Sequence, residues 1–239
     1  MRQAIWVVVL AAVGAGGLTA GQTAAGHAAS SAKLVPGNGE APALQTYTNA
    51  ELHLTFAYPA AMRRRATDDT TAVGQRIVLG EKNDPNADPS KAAPCTRTLM
   101  AAETRGGTQA AGTLILFDVD LRCIPPKAMK NKKLLDTVLS GFVTQGTSSL
   151  GMMPVGPAMG YWLQGHHAFF AASQGEPVNG SGLQSNGSAM WATVAAGVGD
   201  HVFVWMLEAG SPELLRAMMT SRVDFGTGTP VALFPFSVH

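Results

Sequence analysis

Charge is scarce in this chain. Asp, Glu, Lys and Arg make up 14% of 239 residues, and none stands between Arg2 and Lys33. With 17 basic against 16 acidic side chains, the sequence lacks the basic footprint that nucleic acid requires. The same neutrality argues against an anionic membrane surface as partner. Cysteine is almost missing: Cys95 and Cys123 are the only two. They do not form a Cys-x-x-Cys pair, which argues against dithiol redox chemistry. A lipidated N-terminus needs a cysteine beside the cleavage point, and Cys95 is far too late in the chain. Catalytic signatures are missing as well. There is no Gly-x-Ser-x-Gly elbow, and Gly146-Thr147-Ser148-Ser149-Leu150-Gly151 has the wrong spacing for one. Neither a phosphate-binding Gly-x-x-x-x-Gly-Lys nor a His-Glu-x-x-His is present. No catalytic residue, metal or cofactor is therefore assigned.

What is present begins with a leader. Arg2 is followed by the apolar run Ala4-Ile5-Trp6-Val7-Val8-Val9-Leu10-Ala11-Ala12-Val13 and then by small and polar residues. This is the pattern of an export signal, placed at residues 1–29. The run is too short to span a bilayer, which takes about 20 apolar residues, so no stable membrane span is expected after cleavage. Removal of the leader takes Arg2 with it and leaves basic and acidic side chains in balance. The expected compartment is the periplasm or the extracellular space. In such an oxidising setting Cys95 and Cys123 most simply form one disulfide.

Residues 30–46 are rich in Ala, Gly, Pro and Ser without periodicity and read as a linker. A single domain is expected at 47–226 and an apolar C-terminal tail at 227–239. Leu52, Leu54 and Phe56 alternate with polar residues, the period of a half-buried strand. Further strands are expected at 75–79, 98–102, 113–119, 159–163 and 165–171, and a hairpin at 188–194 and 201–208. A helix is expected over 127–145, where Leu134, Leu135, Val138, Leu139, Phe142 and Val143 form one apolar face. A second starts at Ser211-Pro212-Glu213, with serine as cap and proline in the first turn. The fold class is α+β: an antiparallel sheet of about six to seven strands flanked by helices.

Two segments carry a family resemblance. The run from Leu52-His53-Leu54-Thr55-Phe56-Ala57 to Tyr58-Pro59 resembles the opening strand of PsbP-like domains. The closing strand and short helix, ending near Ser221-Arg222-Val223-Asp224-Phe225, resemble the end of that fold. The resemblance implies an α/β/α sandwich in a family of mostly non-enzymatic, exported accessory or binding proteins. It supplies no catalytic residue. The cysteine pair and the proline-bearing tail are not part of that pattern.

Candidate site residues come from the strands. His166 and His167 are adjacent and so point to opposite faces. His53 and His201 lie on other strands, with Asp118 and Asp120 able to add a carboxylate. Imidazole and carboxylate suit zinc or copper, but no close ligand spacing accompanies them, and no metal is assigned. Trp162, Trp191 and Trp205, with Tyr161 and Phe203, could form an aromatic strip. The expected ligand face gathers His53, His166, His201, Asp118 and Trp205. The expected function is a non-catalytic exported domain that binds a protein or cell-envelope component. The alternative is a loop-assembled small-ligand binder or hydrolase. The sequence leaves the oligomeric state open.

Overall fold

The computed structural model describes residues 42–66, 95–106, 109–123, 132–148, 150–176 and 189–235. In chain order the elements are β1 (Leu44–Asn49), β2 (Leu54–Pro59), β3 (Arg63–Arg64), β4 (Thr96–Gly106) and β5 (Gln109–Asp120). A 3-10 turn (Leu121–Cys123) and helix α1 (Lys132–Ser148) follow. Next come β6 (Met153–Pro154), β7 (Met159–Leu163), β8 (His166–Gly175), β9 (Ala189–Val198) and β10 (His201–Ala209). Helix α2 (Pro212–Met218), β11 (Arg222–Asp224) and β12 (Val231–Ala232) close the chain. The fold is α+β, and every strand pair among the described residues is antiparallel.

These strands form two sheets, not the single sheet of six to seven strands expected from the sequence. One has eight strands in the order β3-β4-β5-β10-β9-β8-β6, with β7 also on β8; the other has four, β1-β2-β11-β12. The expectation failed for a physical reason. Alternation marks a strand but not the sheet it joins, and β2 finds its second partner, β11, at the far end of the chain. The segment read as a helix end, 222–224, is that partner.

Two cores follow. Leu54, Phe56 and Tyr58 of the small sheet meet Leu114, Leu116, Phe203, Trp205 and Leu207 of the large one, with Leu214 and Met218 of α2 sealing the edge. On the other face Ile115, Phe117, Val119, Val202, Val204 and Met206 pack beneath Leu139, Phe142 and Val143 of α1. The large sheet is thus covered by a sheet on one face and a helix on the other, which departs from the expected α/β/α sandwich. Part of the C-terminal tail docks too: Leu233 and Phe234 are buried in the inter-sheet core.

Local chemistry explains the joints. Ser211 caps α2, its hydroxyl accepting from the Leu214 N–H at 3.2 Å. Gln164 and Gly165 both have positive φ, 49° and 80°, and form the two-residue turn between β7 and β8. Helix α1 runs three residues past the predicted end at Gln145. The strand predicted at 75–79, the leader 1–29 and the start of the predicted helix at 127–131 lie outside the described residues. No described helix is long and apolar enough to cross a membrane.

Candidate functional site

One end of the molecule gathers the predicted residues. Asp118 of β5 lies directly opposite Arg97 of β4 and Phe203 of β10. His201, two residues before Phe203, is its diagonal neighbour on the same face, within reach across the pair. The result is a bridged carboxylate. His201 Nδ1 lies 2.8 Å from Asp118 Oδ1, and Arg97 Nε donates to Oδ2 at 3.0 Å. The carboxylate is 3% exposed, His201 26% and Arg97 48%. Arg97 also lies 3.7 Å from Glu51. Both oxygens of Asp118 are thus engaged, and its role is to orient the imidazole.

Phe225, immediately after β11, is the hub of this end. Its ring stacks on Phe203 at 5.8 Å and tilts against Trp205 at 6.3 Å. His166 meets it edge-on at 5.3 Å, and His201 stacks on Phe203 at 6.2 Å. Burial pushes the His166 pKa below its ordinary value. His53 lies against the next residue, since a Cβ on Gly226 would sit 3.3 Å from the His53 Cβ. Of the five residues of the expected ligand face, His166 and Trp205 meet Phe225 and His53 lies against Gly226, whereas His201 reaches this hub only through Phe203 and Asp118 only through His201.

The hub is held by a polar clamp. Gln164 accepts from the Phe225 N–H at 2.8 Å and donates to Asp224 Oδ1 and the Thr229 carbonyl. Asp224 also accepts from the Thr227 hydroxyl and the Thr227 and Gly228 N–H groups. The Thr227 hydroxyl, with Gln164 and these amides, holds the Asp224 carboxyl below its ordinary pKa. At the sheet rim, Arg122 bonded to Asp120 lowers that carboxyl to about 2.

His167 points the other way, as adjacency on a strand requires. Its Nδ1 pairs with Asp136 of α1, and its ring meets Trp162 edge-on at 4.1 Å. The expected aromatic strip does not form. Trp191 belongs to the core beneath α1, Trp205 to the core between sheets, and Trp162 is 63% exposed on an outer strand. Alternation and the separate sheet positions of these strands divide them. Among the described residues, no group of three or more His, Cys, Asp and Glu could hold a metal ion.

A second surface was missed by the sequence reading. Met153, Val155, Met159 and Trp162 are exposed large apolar side chains, and all lie in the β6–β7 segment at the rim of the large sheet. The signal was there to find: no Asp, Glu, Lys or Arg stands between Asp136 and Glu176. Outer strands are usually guarded by charge. Here Pro154 and Pro157 guard the approach and β7 itself carries neither charge nor proline.

No protein-family model matches this sequence, and no curated protein matches it. The fold resembles the solution structure of a cyanobacterial PsbP from Synechocystis sp. PCC 6803, with a TM-score of 0.41 and 13% identity. That match covers 73% of this chain and 84% of the other. The likeness is one of fold alone.

Proposed function

We propose that this chain is an exported, non-catalytic domain that binds a protein or cell-envelope component through the uncharged β6–β7 rim. The observation that supports this reading is the collection of Met153, Val155, Met159 and Trp162 in one exposed, charge-free segment. Exposed large apolar side chains gathered at one sheet rim support an interaction there. Export rests on the leader at 1–29. The Cys95–Cys123 disulfide belongs to the same proposal: no described cysteine is free, and the two positions flank the paired strands β4 and β5.

The test is photo-crosslinking in cells. A photoreactive residue at Met159 should yield an adduct with an envelope protein, and the same residue at Arg63 on the opposite rim should not. Equal labelling from both positions, or none from Met159, overturns the reading.

A small-ligand or hydrolytic site at the histidine end is the second reading, favoured by the Asp118-oriented His201. It requires turnover in a broad esterase, phosphatase, glycosidase and peptidase screen, with loss in His201→Gln. Turnover of that kind would displace the non-catalytic reading.

A further inference from the structure

We propose that the outer edge of β1 takes up an extended peptide of a protein partner as an antiparallel strand, and that Arg64 receives an acidic side chain of that peptide. This goes beyond the binding reading above, since β1 edges the other sheet. The first ground is backbone geometry. Ala60 donates its N–H to the Ala43 carbonyl at 2.8 Å, and the same register runs on from Leu44 opposite Pro59 to Asn49 opposite Leu54. In an antiparallel pair the bonding direction alternates along the strand. Gln45, Tyr47 and Asn49 therefore bond inward to β2, and Leu44, Thr46 and Thr48 direct their N–H and C=O groups outward. Among the described residues β1 pairs with β2 alone. The strand carries neither charge nor proline, the usual guards of an edge, and Thr46 and Thr48 are exposed.

The second ground is a cation held beside that edge. Gln45 ties β1 to the chain entering β3, its amide donating to the Met62 carbonyl at 2.5 Å. Arg64 of β3 lies opposite Ala102, a residue of the inter-sheet core, so it is on the same side of the large sheet as Tyr47, which packs against that core. Its guanidinium carbon is 5.1 Å from the centre of the Tyr47 ring, and Asn49 donates to the Tyr47 hydroxyl at 3.3 Å. The ring thus positions an exposed guanidinium next to the unpaired backbone of β1.

Charge selects the partner. Glu103 engages Arg65, and Asp118 and Glu51 engage Arg97, whereas among the described residues no carboxylate pairs with Arg64. A peptide bonded to Leu44, Thr46 and Thr48 sets one of its residues opposite Tyr47, on the face that carries the ring. Aspartate or glutamate at that position meets the guanidinium with a fork-to-fork fit. A second copy of β1 could reach the same backbone groups with Thr46 on the axis, but it would bring a second Arg64 toward the first. An acidic peptide is therefore favoured over another copy. Arg63 lies opposite Glu103 and faces the other side of the sheet, so it is outside this contact and remains a silent crosslinking position.

Fluorescence anisotropy of the mature chain with a labelled peptide tests this. The probe alternates threonine and valine around one central glutamate, and the control probe carries lysine there. The wild type should bind the glutamate probe saturably and the lysine probe at least tenfold more weakly, and Arg64→Glu should reverse that preference. Thr46→Pro removes one outward N–H and leaves the inward ladder intact, so it should weaken binding at least tenfold with an unchanged far-UV spectrum. Should Thr46→Pro fail to fold, a probe N-methylated at alternate residues removes the same ladder bonds from the peptide side. Absence of binding, equal affinity for the two probes, or indifference to both the proline variant and the N-methyl probe overturns the proposal. A wild-type dimer that Thr46→Pro dissolves overturns it as well, since a second copy would then hold the edge. Met159→Lys should leave peptide binding unchanged. Loss in that variant would move the peptide to the β6–β7 rim and sink the β1 proposal alone, and a missing adduct at Met159 sinks only the rim reading.

Discussion

Asp118 illustrates how one residue couples stability to site geometry. It is a nearly buried carboxylate whose two oxygens each hold a cationic or ionisable partner from a different strand. Removing it leaves Arg97 and His201 without their shared anchor. Hydrogen bonds to a charged group are worth about 1.5–3 kcal/mol each, and half-exposed Arg97 contributes the smaller share. Asp118→Ala should cost about 3 kcal/mol in urea unfolding, and His201→Gln about 1 kcal/mol. Equal, negligible losses in both would show that the bridge does not anchor the sheet end. His166 supplies a pH handle. Its folded pKa is depressed by burial, so the neutral ring favours the fold. Its contribution is complete above the ordinary value of 6.5 and is lost as the pH falls through the lower folded value. Thermal midpoints of wild type and His166→Gln should therefore converge as the pH drops below 6.5. A difference between them that is constant with pH would remove His166 as the titrating group. These residues were legible from the sequence because strand alternation put His201, Phe203 and Trp205 on one face. Phe225 was not, since nothing local says that β11 crosses to a second sheet.

At the scale of elements, the strands carrying long alternating runs were legible and their partners less so. The β9–β10 hairpin was readable from the turn residues Gly197 to Asp200 between two apolar runs, and it forms with a tighter turn, Gly197 and Val198 being paired in the ladder and Gly199 taking φ 59°. The start of α2 was readable from Ser211-Pro212-Glu213, since capping is local chemistry. The seat of α2 was not, because it depends on a distant glycine. Gly112 on β5 lies under the helix, where a Cβ would stand 2.9 Å from Leu214 Cδ2 and 3.0 Å from the Glu208 carbonyl oxygen. The leucine can shift, but the carbonyl is fixed in the β5–β10 ladder. Gly112→Ala should thus destabilise the protein by about 1–3 kcal/mol, the range for overpacking. Denaturant midpoints of this variant and of Gly141→Ala make the comparison, since nothing stands within 4 Å of a Cβ at Gly141 and alanine is the better helix former. Equal midpoints for the two variants would mean that α2 is not seated on Gly112.

For the whole molecule, the proposed staple and the histidine end are one mechanical problem. The β4–β5 pair is among the most extensive in the large sheet, yet among the described residues β3 and the adjoining Arg65 cover β4 only at Ala101, Ala102 and Glu103. Cys95 immediately precedes β4, and Cys123 ends the turn after β5. A bond between them closes the end of the hairpin where Thr96 faces Val119 and Arg97 faces Asp118. Fraying there would separate Arg97 from Asp118 before any apolar core opened. In the chain-entropy view a closed loop of this length contributes roughly 3–4 kcal/mol. Reduction, or the double change Cys95→Ser with Cys123→Ser, should lower the thermal midpoint by about 10 °C. The same loss should fall unevenly: amide exchange at 96–98 and 117–120 should quicken more than at 203–207, where β10 is flanked by β5 and β9. An even rise in exchange across both groups would mean that the staple stabilises the fold only globally, and an unchanged midpoint would mean that the two cysteines are not bonded to each other.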